Sequence, residues 1–139
     1  MTLNITLLTE RMIYQSADFR LTNSDTGEII SDTSTKLVTL QYGEWDGFVS
    51  YTGIGRWKGR DTSEFVMEWL TGLHDATPGD VATWIRDKGT EWLRNIETAW
   101  RRERQTFILA AFEAGRPQLA VISNFEDCFG RNDANAGPS

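Results

Sequence analysis

The chain reads as one α+β domain, and three observations carry that reading: paired extended runs at the start, two amphipathic helical stretches in the middle, and another extended pair before a polar end. Residues 3–8, Leu-Asn-Ile-Thr-Leu-Leu, alternate apolar and polar, break at Thr9-Glu10-Arg11, and resume an extended pattern over 12–22. This predicts a hairpin. In its second arm Asp18, Arg20 and Thr22 occupy alternate positions and so share one strand face, with Ala17, Phe19 and Leu21 on the other. Polar turn clusters follow at 23–27 and 31–35. Residues 36–42 and 47–52 are the next extended runs, joined by a loop over 43–46. Lys36 opens the apolar face of Val38, Leu40 and Tyr42, where an ammonium loses water and requires a carboxylate partner or a lowered pKa; Asp18 is the candidate partner.

Gly53, Gly55 and Gly59 loosen the chain before Asp61-Thr62-Ser63-Glu64, a helix-start signal. Phe65, Val66, Trp69, Leu70 and Leu73 then recur at helical spacing. A second helix starts with Thr77 as N-cap, Pro78 in the first helical position and Asp80 in the first turn. Its apolar positions, from Val81 through Trp92 to Trp100, drift around Gly89, which predicts a kink there. A last hairpin is expected from 107–112, a turn at Gly115-Arg116-Pro117, and 118–125. Residues 127–139 are polar and small and are expected to form a disordered tail, leaving 1–126 as the domain.

The 139 residues suffice for one hydrophobic core, with 40% hydrophobic residues and six tryptophans. A net charge of −6 argues against nucleic acid or an anionic membrane as partner, since phosphate binding needs clustered Lys and Arg. The one basic cluster, Arg101-Arg102-Glu103-Arg104, falls near an expected helix end, where cations complement the dipole. Cys128 is the only cysteine, which excludes an internal disulfide and the usual cysteine zinc sites and fits a reducing cytoplasm. No signal peptide or membrane span is indicated. His74 is the only histidine and reads as structural or solvated, without the partners of a Ser-His-Asp set.

The candidate chemistry starts at Thr2, the residue exposed once Met1 is trimmed. A threonine hydroxyl is a weak nucleophile, but a free α-amine on the same residue, with a pKa of about 7.7–8.0, can take its proton. Thr2, the Asp18-x-Arg20-x-Thr22 register, the Lys36-Leu37 that opens a strand, and Thr52-Gly53 with Gly55 beyond it together resemble the first half of a proteasome β-type subunit, an N-terminal-nucleophile (Ntn) hydrolase, over residues 2–126.

That resemblance implies a fold of two stacked sheets with helices on both outer faces (αββα), here shortened at the C-terminus. It also implies a threonine-type hydrolase of peptide or amide bonds that needs no metal or cofactor. Thr2, Asp18 and Lys36 would be the catalytic residues, with Arg20 helping to fix Asp18. The Gly53 N–H would serve the oxyanion, and Thr22 and Gly53 would flank an extended substrate. The interval from Asp18 to Lys36 is slightly longer than in the family, which the turn at 23–27 can absorb. Without the family's second half, apolar faces and strand edges would stay uncovered, which predicts association, most simply as a homo-oligomer. The alternative within the same resemblance is a catalytically inactive interaction or assembly module acting through the tryptophan-rich helices.

Overall fold

The computed structural model describes residues 3–23, 25–96 and 104–124. In chain order its elements are β1 (Asn4–Leu8), β2 (Ile13–Ala17), β3 (Leu21–Thr22), β4 (Ile29–Ser31), β5 (Leu37–Tyr42), β6 (Trp45–Thr52), β7 (Arg56–Trp57), β8 (Arg60–Asp61), α1 (Thr62–Leu70), α2 (Pro78–Asn95), β9 (Thr106–Glu113) and β10 (Arg116–Ser123). The mixed α+β composition agrees with the sequence expectation.

A four-stranded antiparallel sheet in the order β10-β9-β6-β5 divides the molecule. Side-chain alternation sends Val38, Leu40, Val49, Tyr51, Phe107, Leu109 and Ile122 to one face, where they pack with Phe65, Val66 and Leu70 of α1 and Val81, Ile85, Trp92 and Leu93 of α2. Each such side chain contributes about 1.5–3 kcal/mol by leaving water. Ser50, between Val49 and Tyr51, points the other way and accepts a hydrogen bond from Gln15 Nε2 at 2.9 Å. The β1–β2 hairpin therefore lies on the face opposite the helices.

Both helices begin where local chemistry directs. The Thr77 hydroxyl accepts from the Asp80 N–H at 3.2 Å, and the Asp80 carboxylate accepts from the Thr77 N–H at 2.9 Å. Asp61 and Glu64 form the equivalent box on α1. The kink expected at Gly89 does not occur, because α2 runs unbroken through it. Gly89 instead answers a packing demand: a Cβ there would stand 3.3 Å from the Phe107 ring.

Several boundaries differ from the sequence reading. The expected strand over 12–22 stops at Ala17 and resumes only at Leu21, so Asp18, Phe19 and Arg20 are not in a strand. The expected loop over 43–46 contracts to Gly43-Glu44, because Trp45 pairs with Tyr42, stacks on it at 4.8 Å, and donates its indole N–H to the Ala76 carbonyl at 2.8 Å. The turn after β9 is Ala114-Gly115, both with positive φ, as a two-residue hairpin turn requires. Pro117 lies inside β10, tolerated because that strand is at the sheet edge. The short ribbons β3–β4 and β7–β8 carry too few residues to show a period in the sequence.

Helices on both outer faces are not formed by the described residues, since α1 and α2 pack on one face. The hairpin is instead polar inward, through Asn4, Thr6 and Gln15, and apolar outward, where Leu3, Ile5, Leu7 and Tyr14 are each more than half exposed. Trp57, Trp69 and Trp92 belong to an aromatic cluster with Phe65 and Phe107, with centroids 5.7–6.4 Å apart; Trp92 is buried, Trp57 and Trp69 partly so, and Trp84 is exposed. Residues 97–103 and 125–139, which include most of the basic cluster, Cys128 and the expected tail, lie outside the described residues. No described helix is long and apolar enough to cross a membrane.

Trp45→Ala removes a buried ring, a stack and a hydrogen bond at once and is expected to cost about 3–5 kcal/mol. Urea unfolding followed by far-UV circular dichroism measures this; a loss within experimental error would contradict the packing described for β6.

Candidate functional site

The site is organised around a buried cation. Lys36 immediately precedes β5, and its side chain is fully buried. An ammonium taken out of water must find acceptors. Lys36 Nζ lies 2.5 Å from Asp18 Oδ1 and 2.5 Å from the carbonyl oxygen of Arg20. The strand break at Asp18–Arg20 brings those two acceptors, one from a side chain and one from the backbone, to the same nitrogen.

Arg20 acts differently from the sequence expectation. Its guanidinium does not fix Asp18 but pairs with Asp32 at 3.0 Å, with both side chains largely in solvent. Such a pair is worth about 0–1 kcal/mol. What Arg20 brings to the site is its main-chain oxygen.

The segment before Lys36 is held by three further bonds. The Ser34 N–H donates to the Phe19 carbonyl at 3.1 Å, the Tyr51 hydroxyl donates to the Thr35 carbonyl at 3.1 Å, and Arg56 Nη2 donates to the buried Ser34 hydroxyl at 3.4 Å. Arg56 is itself held by Asp61, the N-cap of α1, at 2.8 Å. Burial pushes the Tyr51 phenol up to about 12, and the Asp61 carboxylate adds to the rise while Ser63 and Arg56 oppose it.

The leading end of the chain runs beside this cluster. The Asp18 N–H donates to the Leu3 carbonyl at 3.2 Å, so the residue after Thr2 is bonded to the residue that holds Lys36. Thr2 itself lies outside the described residues.

Thr22 and Gly53, the expected substrate walls, belong to neighbouring segments. Leu21, beside Thr22 in β3, packs on Gly55 so closely that a Cβ on that glycine would collide with its methyl groups. Gly53 has φ +110, and a Cβ there would collide with the Arg104 carbonyl oxygen and approach Gln105 Oε1 to 2.6 Å. No other residue fits without moving the backbone. The next two residues are anchored as well: Gln105 Oε1 accepts from the Ile54 N–H at 2.7 Å, Thr62 Oγ1 donates to the Ile54 carbonyl at 2.6 Å, and the Thr62 N–H donates to the Gly55 carbonyl at 2.9 Å.

Sequence reasoning identified Lys36, Asp18 and Gly53 but missed Ser34, Tyr51, Thr62 and Gln105. Gln105 and Ile54 are 51 positions apart, and no local pattern connects them. No cluster of metal ligands occurs among the described residues.

Two predictions follow from the geometry. Asp18→Ala leaves the buried ammonium without its carboxylate and is expected to cost about 2–3 kcal/mol in urea unfolding, less than for a fully buried pair because Asp18 is partly exposed; Arg20→Ala is expected to cost far less. The raised Tyr51 phenol binds its proton more tightly in the folded state, so its stabilisation is complete below about pH 10 and is lost as pH rises toward 12. The urea midpoint of the native chain should therefore fall more steeply across that window than that of Tyr51→Phe, and equal slopes would count against the assignment. Comparison of the chain with protein-family models, with curated proteins and with solved structures finds no match.

Proposed function

We propose that the protein is an N-terminal-threonine hydrolase of peptide or amide bonds, related in design to proteasome β-type subunits. The observation that carries this reading is the fully buried Lys36 ammonium held by Asp18 and the Arg20 carbonyl beside the first residues of the chain. A surface lysine needs no such arrangement. The pairing joins Lys36 to Asp18, the two residues of the Lys-Leu and Asp-x-Arg elements expected to be catalytic, and adds the carbonyl of Arg20, which was expected only to support Asp18.

In this mechanism the Thr2 hydroxyl oxygen attacks the substrate carbonyl carbon while its proton passes to the Thr2 α-amine. The tetrahedral intermediate collapses to an ester on Thr2, and the leaving amine departs with that proton. Water, deprotonated by the α-amine, then cleaves the ester, releasing the carboxylic acid and restoring the hydroxyl. Lys36 places positive charge where it favours the neutral amine and the incipient alkoxide. The Gly53 N–H faces the developing oxyanion, a donor worth about 2.7–4 kcal/mol in such sites. The chemistry requires Met1 to be removed, because an amide nitrogen cannot serve as the base.

A second reading, an assembly module without activity, is favoured by the apolar outer face of the hairpin. Such a face suits self-association in either case.

Intact-mass measurement and incubation with a peptide epoxyketone decide between the readings. The hydrolase predicts a chain lacking Met1 that gains one adduct at Thr2, no adduct in Thr2→Ala, and labelling slowed by about 100-fold or more in Lys36→Met. Retained Met1, or a mature chain that is never labelled, leaves the assembly module.

A further inference from the structure

We propose that Gln105 is a positioning residue that, by holding the peptide after Gly53, fixes the backbone angles at Gly53 and so the direction of the Gly53 N–H as oxyanion donor, an inference that rests on the hydrolase reading. Gln105 immediately precedes β9 and is almost completely buried. Its main chain is tied down on both sides: the Gln105 N–H donates to Asn124 Oδ1 at 2.9 Å, and the Asn124 N–H donates to the Gln105 carbonyl at 3.3 Å. From this fixed base the side chain reaches across to the loop after β6, where Oε1 accepts from the Ile54 N–H.

Gly53 thus sits between two fixed points. Thr52 before it is registered against Thr106 in the central sheet, and the peptide after it is pinned by Gln105. With both neighbours held by consecutive residues, 105 and 106, the glycine has little freedom in its φ +110 conformation. Thr62 secures the far side of Ile54, so the loop is held from both sides. Catalytic donors stabilise a developing charge best when they need not reorganise as it forms.

The carboxamide also has an unspent half. The bond from Ile54 defines which atom is the oxygen, and the remaining Nε2 is buried without a hydrogen-bond partner among the described residues. A buried donor without a partner carries a desolvation cost and calls for an explanation. The acceptor half provides it, because an apolar residue of the same length would avoid the idle donor but orphan the Ile54 N–H and release the Gly53 peptide.

Two substitutions separate the halves. Gln105→Glu keeps an oxygen for Ile54 but replaces the idle donor with a buried negative charge; Gln105→Met keeps length and bulk but removes the acceptor. The test uses the mature full-length chain, the peptide epoxyketone, and two readouts: the saturating labelling rate with its half-saturation concentration, and hydrogen exchange at the Ile54 amide.

Gln105→Met is expected to label at least tenfold more slowly at saturation, with half-saturation changed less than threefold and the same final stoichiometry, and to lose protection at Ile54. Gln105→Glu is expected to keep the Ile54 protection, since a side-chain oxygen still accepts from that amide, while its buried negative charge slows labelling. A substitution that only lowered the folded fraction would reduce the stoichiometry and leave the rate of the remaining molecules unchanged, and that result would overturn the proposal. So would native labelling kinetics in Gln105→Met, or unchanged Ile54 protection. If the native chain is not labelled at all, the hydrolase reading fails and this inference with it; labelling of the native chain with unaffected Gln105→Met sinks the inference alone.

Discussion

Burial of one ammonium group shapes the N-terminal half of this protein. Lys36 sits where the apolar face of β5 begins, and no solvent reaches its side chain. A cation in that position must be surrounded by oxygen, and the chain bends to supply it. The extended run that starts at Ile13 stops at Ala17 so that the Asp18 carboxylate and the Arg20 carbonyl can converge on one nitrogen. The segment before Lys36 is then secured by Phe19, Tyr51 and Arg56, each from a different part of the fold. The cost of one buried charge is distributed over a network, and the network draws the leading end of the chain, through Leu3, against Asp18.

The layers around that centre differ in polarity. On the helix side the sheet meets an apolar and aromatic core of ordinary kind, built from the α1 and α2 stripes and the cluster around Trp92. On the hairpin side the contacts are polar, with Asn4 on the Tyr51 carbonyl and Gln15 on Ser50. The hairpin turns its apolar side chains outward. Directional hydrogen bonds thus fix where the hairpin lies, while its apolar side chains face solvent.

Legibility in the sequence follows the range of the interaction. The N-caps at Asp61 and Thr77 depend on partners three residues away, so Thr77 was readable to the residue and the start of α1 to the segment 61–64. The two arms of the first hairpin, the helix stripes and the last hairpin were readable from periodicity, though their ends moved by a few residues where Trp45 and Arg116 joined strands. Gly89 was misread because its reason is the Phe107 ring, which the chain reaches only after another 18 positions. Arg20 was misread because its side chain drew attention and its carbonyl oxygen, which every residue possesses, contributes instead.

What the sequence by itself determined is the α+β alternation, the starts of both helices, and Asp18 as the partner of Lys36, because periodicity, capping and residue chemistry can be read from the chain alone. Only the tertiary structure decided that Lys36 is sealed from solvent, that the strand breaks to serve it, and that Gln105 clamps the loop beside Gly53. Burial and long-range hydrogen bonding are properties of the packed chain, and a residue's worth to them depends on neighbours that are close in space but distant in sequence.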